Sequence, residues 1–158
     1  MFKEKKFYLT KEGLEKIKKE HSDLKNLWFS KSKGDISKNF QPEDLTPEYL
    51  SFQEDLNSLE AKVIELDHIL KNVKLISCPL KKRQNIVDLG AKVLIENNGQ
   101  VNEFEIVGTL EANPIIGKIS NESPVGRALL GRKVGDEVSI SSPAKTIYKI
   151  KKINYQIS

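Results

Sequence analysis

Cysteine occurs once in these 158 residues, at Cys78, so no internal disulfide can form. With only His21 and His68 to add, soft ligands are too few for a structural zinc site. No run of about 18 apolar residues is present, which excludes a membrane-spanning helix. The opening MFKEKKFYLT is basic but lacks the apolar stretch of a secretory signal. These absences lead to the expectation of a cytoplasmic protein. The phosphate-binding loop, the dinucleotide fingerprint, the nucleophile elbow and the zinc-protease motif are missing as well. Gly131 to Asp136 (GRKVGD) imitates a phosphate loop but reads better as a turn between strands. Asn121-Glu122-Ser123 matches a glycosylation acceptor, which carries no weight without a secretory signal.

Two mirrored apolar stripes are present instead. Going out, Phe7, Leu14, Ile17, His21, Leu24 and Trp28 follow the three-and-four spacing of one helix face. Coming back, Phe52, Leu56, Leu59, Val63, Leu66, Leu70 and Val73 do the same. Folding the chain near Phe40 pairs 7 with 73, 14 with 66, 17 with 63, 21 with 59, 24 with 56 and 28 with 52. Such facing seams specify a long antiparallel helical hairpin. Thr10 is the expected cap of the first helix, from about Lys11 to Ser30, with Gly13 where a full capping box has Glu or Gln. Thr46-Pro47-Glu48 is a restart signal for the second, which is expected to reach about Lys74. Charge divides between the arms. Residues 1–33 hold ten lysines against five acids, and residues 43–67 eight acids against one lysine. Opposite charge along facing helices favours their pairing, while no compact Arg-rich patch with interleaved aromatics supports autonomous nucleic-acid binding.

After a proline-containing basic linker the period changes to alternation. Residues 92–96 and 101–107 flank Asn97-Asn98-Gly99, a hairpin signal. Residues 115–119, 137–140 and 146–153 are further strand candidates, and 124–130 form a short helix capped by Ser123 and stopped by Gly131. The class is therefore α+β: a helical hairpin over 1–75, a linker over 76–86, and a small twisted antiparallel sheet with one helix over 87–158.

YLTKEGLEKIKKE near the start and ISNESPVGRALLGRKVGDEVSISSP near the end closely resemble the bacterial Gre transcript-cleavage factors. The most specific match is Ser123 to Gly131 followed by Val134-Gly135-Asp136. Membership implies an FK506-binding-protein-like fold for the second half, which docks at the rim of the secondary channel of bacterial RNA polymerase. Ser123, Pro124, Val125, Gly126, Arg127 and Leu129 are the docking residues so implied. The hairpin then enters the channel and places tip acids beside the nascent RNA 3′ end. The factor acts there as a monomer that lends carboxylates to the polymerase and is no enzyme by itself.

Family tips read close to G-D-L-S-E-N-A-E-Y, and this chain carries two partial matches. Gly34-Asp35-Ile36-Ser37-Lys38-Asn39 keeps the Asp but has Lys38 in place of the Glu, and Glu43-Asp44-Leu45-Thr46-Pro47-Glu48-Tyr49 is two residues short. The resemblance points to Asp35 and Asp44, with Glu43 in reserve, as catalytic carboxylates, the two aspartates sharing Mg2+ with the polymerase. Lys31, Lys33 and Lys38 beside them favour the ionised carboxylates and compete with a metal ion for them. The altered tip leaves a rival reading: a channel ligand that inhibits or retunes polymerase without promoting cleavage. A peptidyl-prolyl isomerase is disfavoured, since Phe104, Tyr148 and Tyr155 are the only aromatics after the linker.

Overall fold

The computed structural model describes residues 4–33, 46–141 and 144–155. Their contacts divide into two compact units, Leu14–Asn72 on one side and Met1–Gly13 with Val73–Ser158 on the other.

The first unit holds helix α1 (Lys11–Ser32), apart from its opening turn, and helix α2 (Pro47–Lys71). At 1.5 Å per residue these are rods of about 33 and 38 Å. The stripes read from the sequence are the covered faces: Leu14, Ile17, His21, Leu24 and Trp28 are half-buried among exposed neighbours, as are Phe52, Leu56, Leu59, Val63 and Leu70. Leu66 is buried. The restart signal forms as read, with Thr46 Oγ1 accepting from Tyr49 N–H at 3.2 Å and Pro47 in the first turn.

The register differs from the mirror pairing. His21 Nε2 lies 3.9 Å from Asp67 Oδ1, not opposite Leu59. Further out, Leu27 and Lys31 line one groove with Asp55, Ser58 and Leu59. Both observations correspond to a slip of about seven residues, one heptad. A stripe of this period looks the same after such a slip, so apolar residues still oppose apolar residues and the pattern cannot choose. Charge can. Asp67, which the mirror pairing sets opposite Gly13, instead lies within electrostatic reach of His21 and Lys25.

The hydrogen bond from Lys71 Nζ, at 2.8 Å, is the largest influence holding the Asp67 carboxyl below its ordinary value of 3.8, helped by the charges of Lys71, His21 and Lys25. A depressed folded-state value makes this stabilisation complete above 3.8 and lost as pH falls through the folded value. Asp67→Asn is therefore expected to lower the melting temperature slightly at neutral pH. The gap from the parent should close on acidification and shrink in high salt, as thermal melts across pH will show.

The second unit contains β1 (Phe7–Leu9) and β2 (Val73–Leu75), which pair in parallel, Phe7 opposite Val73. These two residues, read as the outermost pair of a helical seam, are partners in a ladder instead. The sequence also continues α2 to about Lys74, whereas the helix ends at Lys71 and Asn72 turns the chain, its side-chain amide donating to the His68 carbonyl at 2.9 Å. Leu9 is fully buried, and its carbonyl accepts from Ile76 N–H at 2.8 Å.

Five further strands form one sheet: β3 (Ala91–Asn97), β4 (Gln100–Val107), β5 (Lys118–Ser120), β6 (Glu137–Ile140) and β7 (Thr146–Tyr155), in the order β5-β4-β3-β7-β6. The β3–β4 hairpin turns through Asn98 and Gly99, both at positive φ (49° and 81°), as a two-residue turn of matching twist requires. All pairs are antiparallel except β4–β5, where Ile106 lies opposite Ile119 in parallel. That pair follows from a 3-10 turn over Pro114–Ile116, overlapping the start of the segment read as strand 115–119, which reverses the chain before β5 begins. Alternation puts Ala91, Val93 and Ile95 of β3 inward, with Ile106, Val138, Ile140 and Ile150 around them. Helix α3 (Pro124–Leu129) adds Leu129 to this core. Phe104, Tyr148 and Tyr155 pack against it. The Tyr155 hydroxyl donates to the Ile86 carbonyl and accepts from Asp88 N–H at 2.9 Å, and burial, the main cause, raises its pKa.

Candidate functional site

Two places on the chain carry the residues singled out from the sequence. The acids Asp35, Glu43 and Asp44, with Lys38 and the fold point near Phe40, lie outside the described residues. What leads up to them is described. α1 runs to Ser32, and the Lys33 ammonium sits 4.0 Å above the Phe29 ring, a cation–π contact at the helix end. α2 starts at Pro47 with Glu48 in its first turn, where a negative charge suits the helix dipole. Among the described residues, no group of three or more His, Cys, Asp or Glu side chains is placed to hold a metal ion. Aspartate carboxylates are hard oxygen donors, and the chemistry of Asp35 and Asp44 suits Mg2+.

The second place is α3. Chain reversal after β5 is built by Ser123, whose N–H donates to the Ser120 carbonyl at 3.1 Å and whose hydroxyl donates to the same oxygen at 2.7 Å. That hydroxyl also accepts from Gly126 N–H at 3.1 Å, which caps the helix. Pro124 occupies the first helical position, where its missing N–H costs nothing. Gly126 is buried against the end of β5, and a Cβ there would collide with the Ser120 carbonyl oxygen. Leu129 is fully buried and Val125 packs on the same core. Gly131, at φ 80°, ends the helix, and its N–H donates to the Val87 carbonyl at 2.8 Å.

The docking set implied by resemblance thus separates by role. Ser123, Val125, Gly126 and Leu129 shape and seat the helix, while Pro124 and Arg127 are exposed. Among the described residues, no carboxylate pairs with Arg127. The Val134-Gly135-Asp136 motif is a turn, as read from the sequence. Asp136 Oδ2 accepts from Lys133 N–H at 2.8 Å, and Gly135 N–H donates to the Ile150 carbonyl at 2.8 Å.

Sequence reasoning passed over Ile115 and Ile116, which are 94% and 64% exposed on their 3-10 turn. The sequence reads them as the start of a strand over 115–119. The Asn113-Pro114 start, with the Asn113 side chain accepting from Ile115 N–H, was the available sign of a turn. It also passed over Glu111, which has no sequence pattern to mark it.

The family model described as "Transcription elongation factor, GreA/GreB, C-term" matches residues 82–155. The chain is 35% identical to transcription elongation factor GreA of Thermomicrobium roseum, over 88% of this chain and 90% of that one. It is 36% identical to GreA of Bacillus velezensis over 98% of this chain and all of the relative, and 37% identical to GreA of Acholeplasma laidlawii over 90% and 91%. Among solved structures, GreA factor homolog 1 of Thermus thermophilus aligns over 95% of this chain and 99% of its own, with TM-score 0.43 and 24% identity. The GreA/GreB elongation factor of Nitrosomonas europaea aligns over 95% and 100%, with TM-score 0.43 and 19% identity. With this degree of identity along nearly its whole length, and the Ser123–Gly131 signature folded as a capped and seated helix, the chain belongs to the GreA family of transcription elongation factors.

Proposed function

We propose that this chain rescues backtracked bacterial RNA polymerase by stimulating cleavage of the nascent RNA near its 3′ end. The β unit docks at the rim of the secondary channel through the exposed side of α3, with Arg127, which pairs with no carboxylate among the described residues, offering a cation. The hairpin enters the channel and presents Asp35 and Asp44, with Glu43 beside them. The observation that carries this reading is the pair of helices of 22 and 25 residues that lead into and out of the acidic segment. A reach of about 33 Å suits a group that must act inside another protein.

Asp35 and Asp44 would hold Mg2+ jointly with polymerase carboxylates, and the bound ion would supply charge neutralisation and an acidified water for hydrolysis. This chain's own part is to bring ionised oxygens to a fixed place and keep them there, acting as a monomer in the cytoplasm. It supplies a piece of an active site whose remainder belongs to the polymerase.

Lys38, standing where the family tip has its Glu, favours a second reading. A cation there opposes metal capture, and the chain would then occupy the channel and inhibit. One assay separates the two. A stalled elongation complex is allowed to backtrack, the protein is added with Mg2+, and shortened, re-extendable RNA is scored. Cleavage supports the first reading. Intact RNA on a complex that demonstrably binds the protein overturns it in favour of the second.

A further inference from the structure

We propose that Glu111 is a positioning residue for the arm: its carboxylate clamps the start of α1 and so limits the angular play of that helix. The proposal rests on the cleavage-factor reading above for its functional consequence, and on geometry within one compact unit for the clamp itself.

An ordinary capping box satisfies a helix start from within. The capping Ser or Thr accepts from the third helical N–H, and a Glu at that third position reaches back to the capping residue's own N–H. Here Thr10 Oγ1 accepts from Gly13 N–H at 3.1 Å, which is the first half. The second half cannot come from Gly13, which has no side chain. Glu111 supplies it from 101 positions away: Thr10 N–H donates to Glu111 Oε2 at 2.7 Å and the Thr10 hydroxyl donates to Oε1 at 2.6 Å. Both short bonds go to a carboxylate, the stronger kind of acceptor, and its charge sits at the positive end of the helix.

Gly13 and Glu111 are two parts of one device. A Cβ on Gly13 would clash with the Glu111 carboxyl, so the glycine that breaks the ordinary capping box is what admits the distant carboxylate. The backbone around it is equally close. Glu111 closes a 3-10 turn (Thr109–Glu111), and a Cβ on the preceding Gly108 would strike the Tyr8 carbonyl oxygen. Segment 108–111 is thus pressed along residues 8–13, with Leu9 fully buried.

The lever explains why this matters. α1 continues unbroken for 22 residues, so angular play of about 2° at its root displaces its far end by about 1 Å. Catalytic groups misplaced by that much lose about a hundredfold in rate.

The test uses the full-length protein carrying Glu111→Ala or Glu111→Gln, the latter keeping the shape but only one acceptor oxygen. Amide exchange at Thr10 and Gly13 should rise about tenfold in the alanine variant, with exchange at Ile95 and Ile150 unchanged. Affinity for polymerase should stay at the parent level while the maximal cleavage rate falls about tenfold or more, the glutamine variant lying between. Unchanged exchange at Thr10 and Gly13 overturns the clamp. Affinity and rate falling together, or a full cleavage rate in Glu111→Ala, overturns the positioning role. If the parent protein binds polymerase but cleaves nothing, the cleavage reading and the positioning role fall together, and exchange at Thr10 and Gly13 still decides the clamp.

Discussion

Asp35→Asn and Asp44→Asn, made separately, are each expected to reduce RNA cleavage on backtracked complexes about a hundredfold while leaving polymerase affinity unchanged. The size follows from the work assigned to these groups. An amide is isosteric with a carboxylate but carries no charge, and a hard divalent ion held partly by that oxygen loses much of its binding energy. Because neither residue helps fold the arm under this reading, melting temperature should not move. Raising Mg2+ should restore part of the rate, since a weakened site refills by mass action. Glu43→Gln is the control: a small effect keeps Glu43 in reserve, and a large one transfers the role to it. Parental cleavage rates in both aspartate variants would remove the metal-ligand assignment.

The second large effect separates two residues two positions apart in α3. Leu129→Ala removes a fully buried side chain from the β core and should destabilise the protein by about 2–5 kcal/mol. That is a large share of the roughly 5–15 kcal/mol available to a domain. Arg127→Ala removes an exposed side chain with no ion-pair partner among the described residues and should leave the melt within about 0.5 kcal/mol of the parent. Polymerase binding should reverse this order once stability is allowed for. At a temperature where both variants are folded, Leu129→Ala should bind nearly as the parent does and Arg127→Ala should bind about tenfold or more weakly. Parent-like binding by Arg127→Ala would take α3 out of the docking surface.

These contrasts bear on how a motif should be read. Six residues enter as one docking set by resemblance, yet Ser123 is occupied with Ser120 and Gly126, and Gly126 with the end of β5. A recurring string of residues mixes those that make a shape with those that show it to a partner. Only neighbours in space tell them apart.

Local chemistry made much of this chain legible. Half-buried stripes, the Thr46-Pro47-Glu48 restart, the Asn98-Gly99 turn and the Ser123 cap each depend on residues a few positions apart, where spacing and backbone preference leave few alternatives. The sequence by itself determined a two-helix arm, a sheet unit and an acidic segment between the helices. What only the tertiary structure decided are relations between distant residues with degenerate local signals. A seven-residue repeat is unchanged by a one-heptad slip, and it is the observed contact of His21 with Asp67 that shows which register is taken. Phe7 and Val73 fit a helical stripe or a strand equally well, and a parallel partner made them strand. Glu111 completes the cap of a helix that begins 100 positions earlier, at Lys11, because a carboxylate satisfies an N–H wherever in the chain it originates.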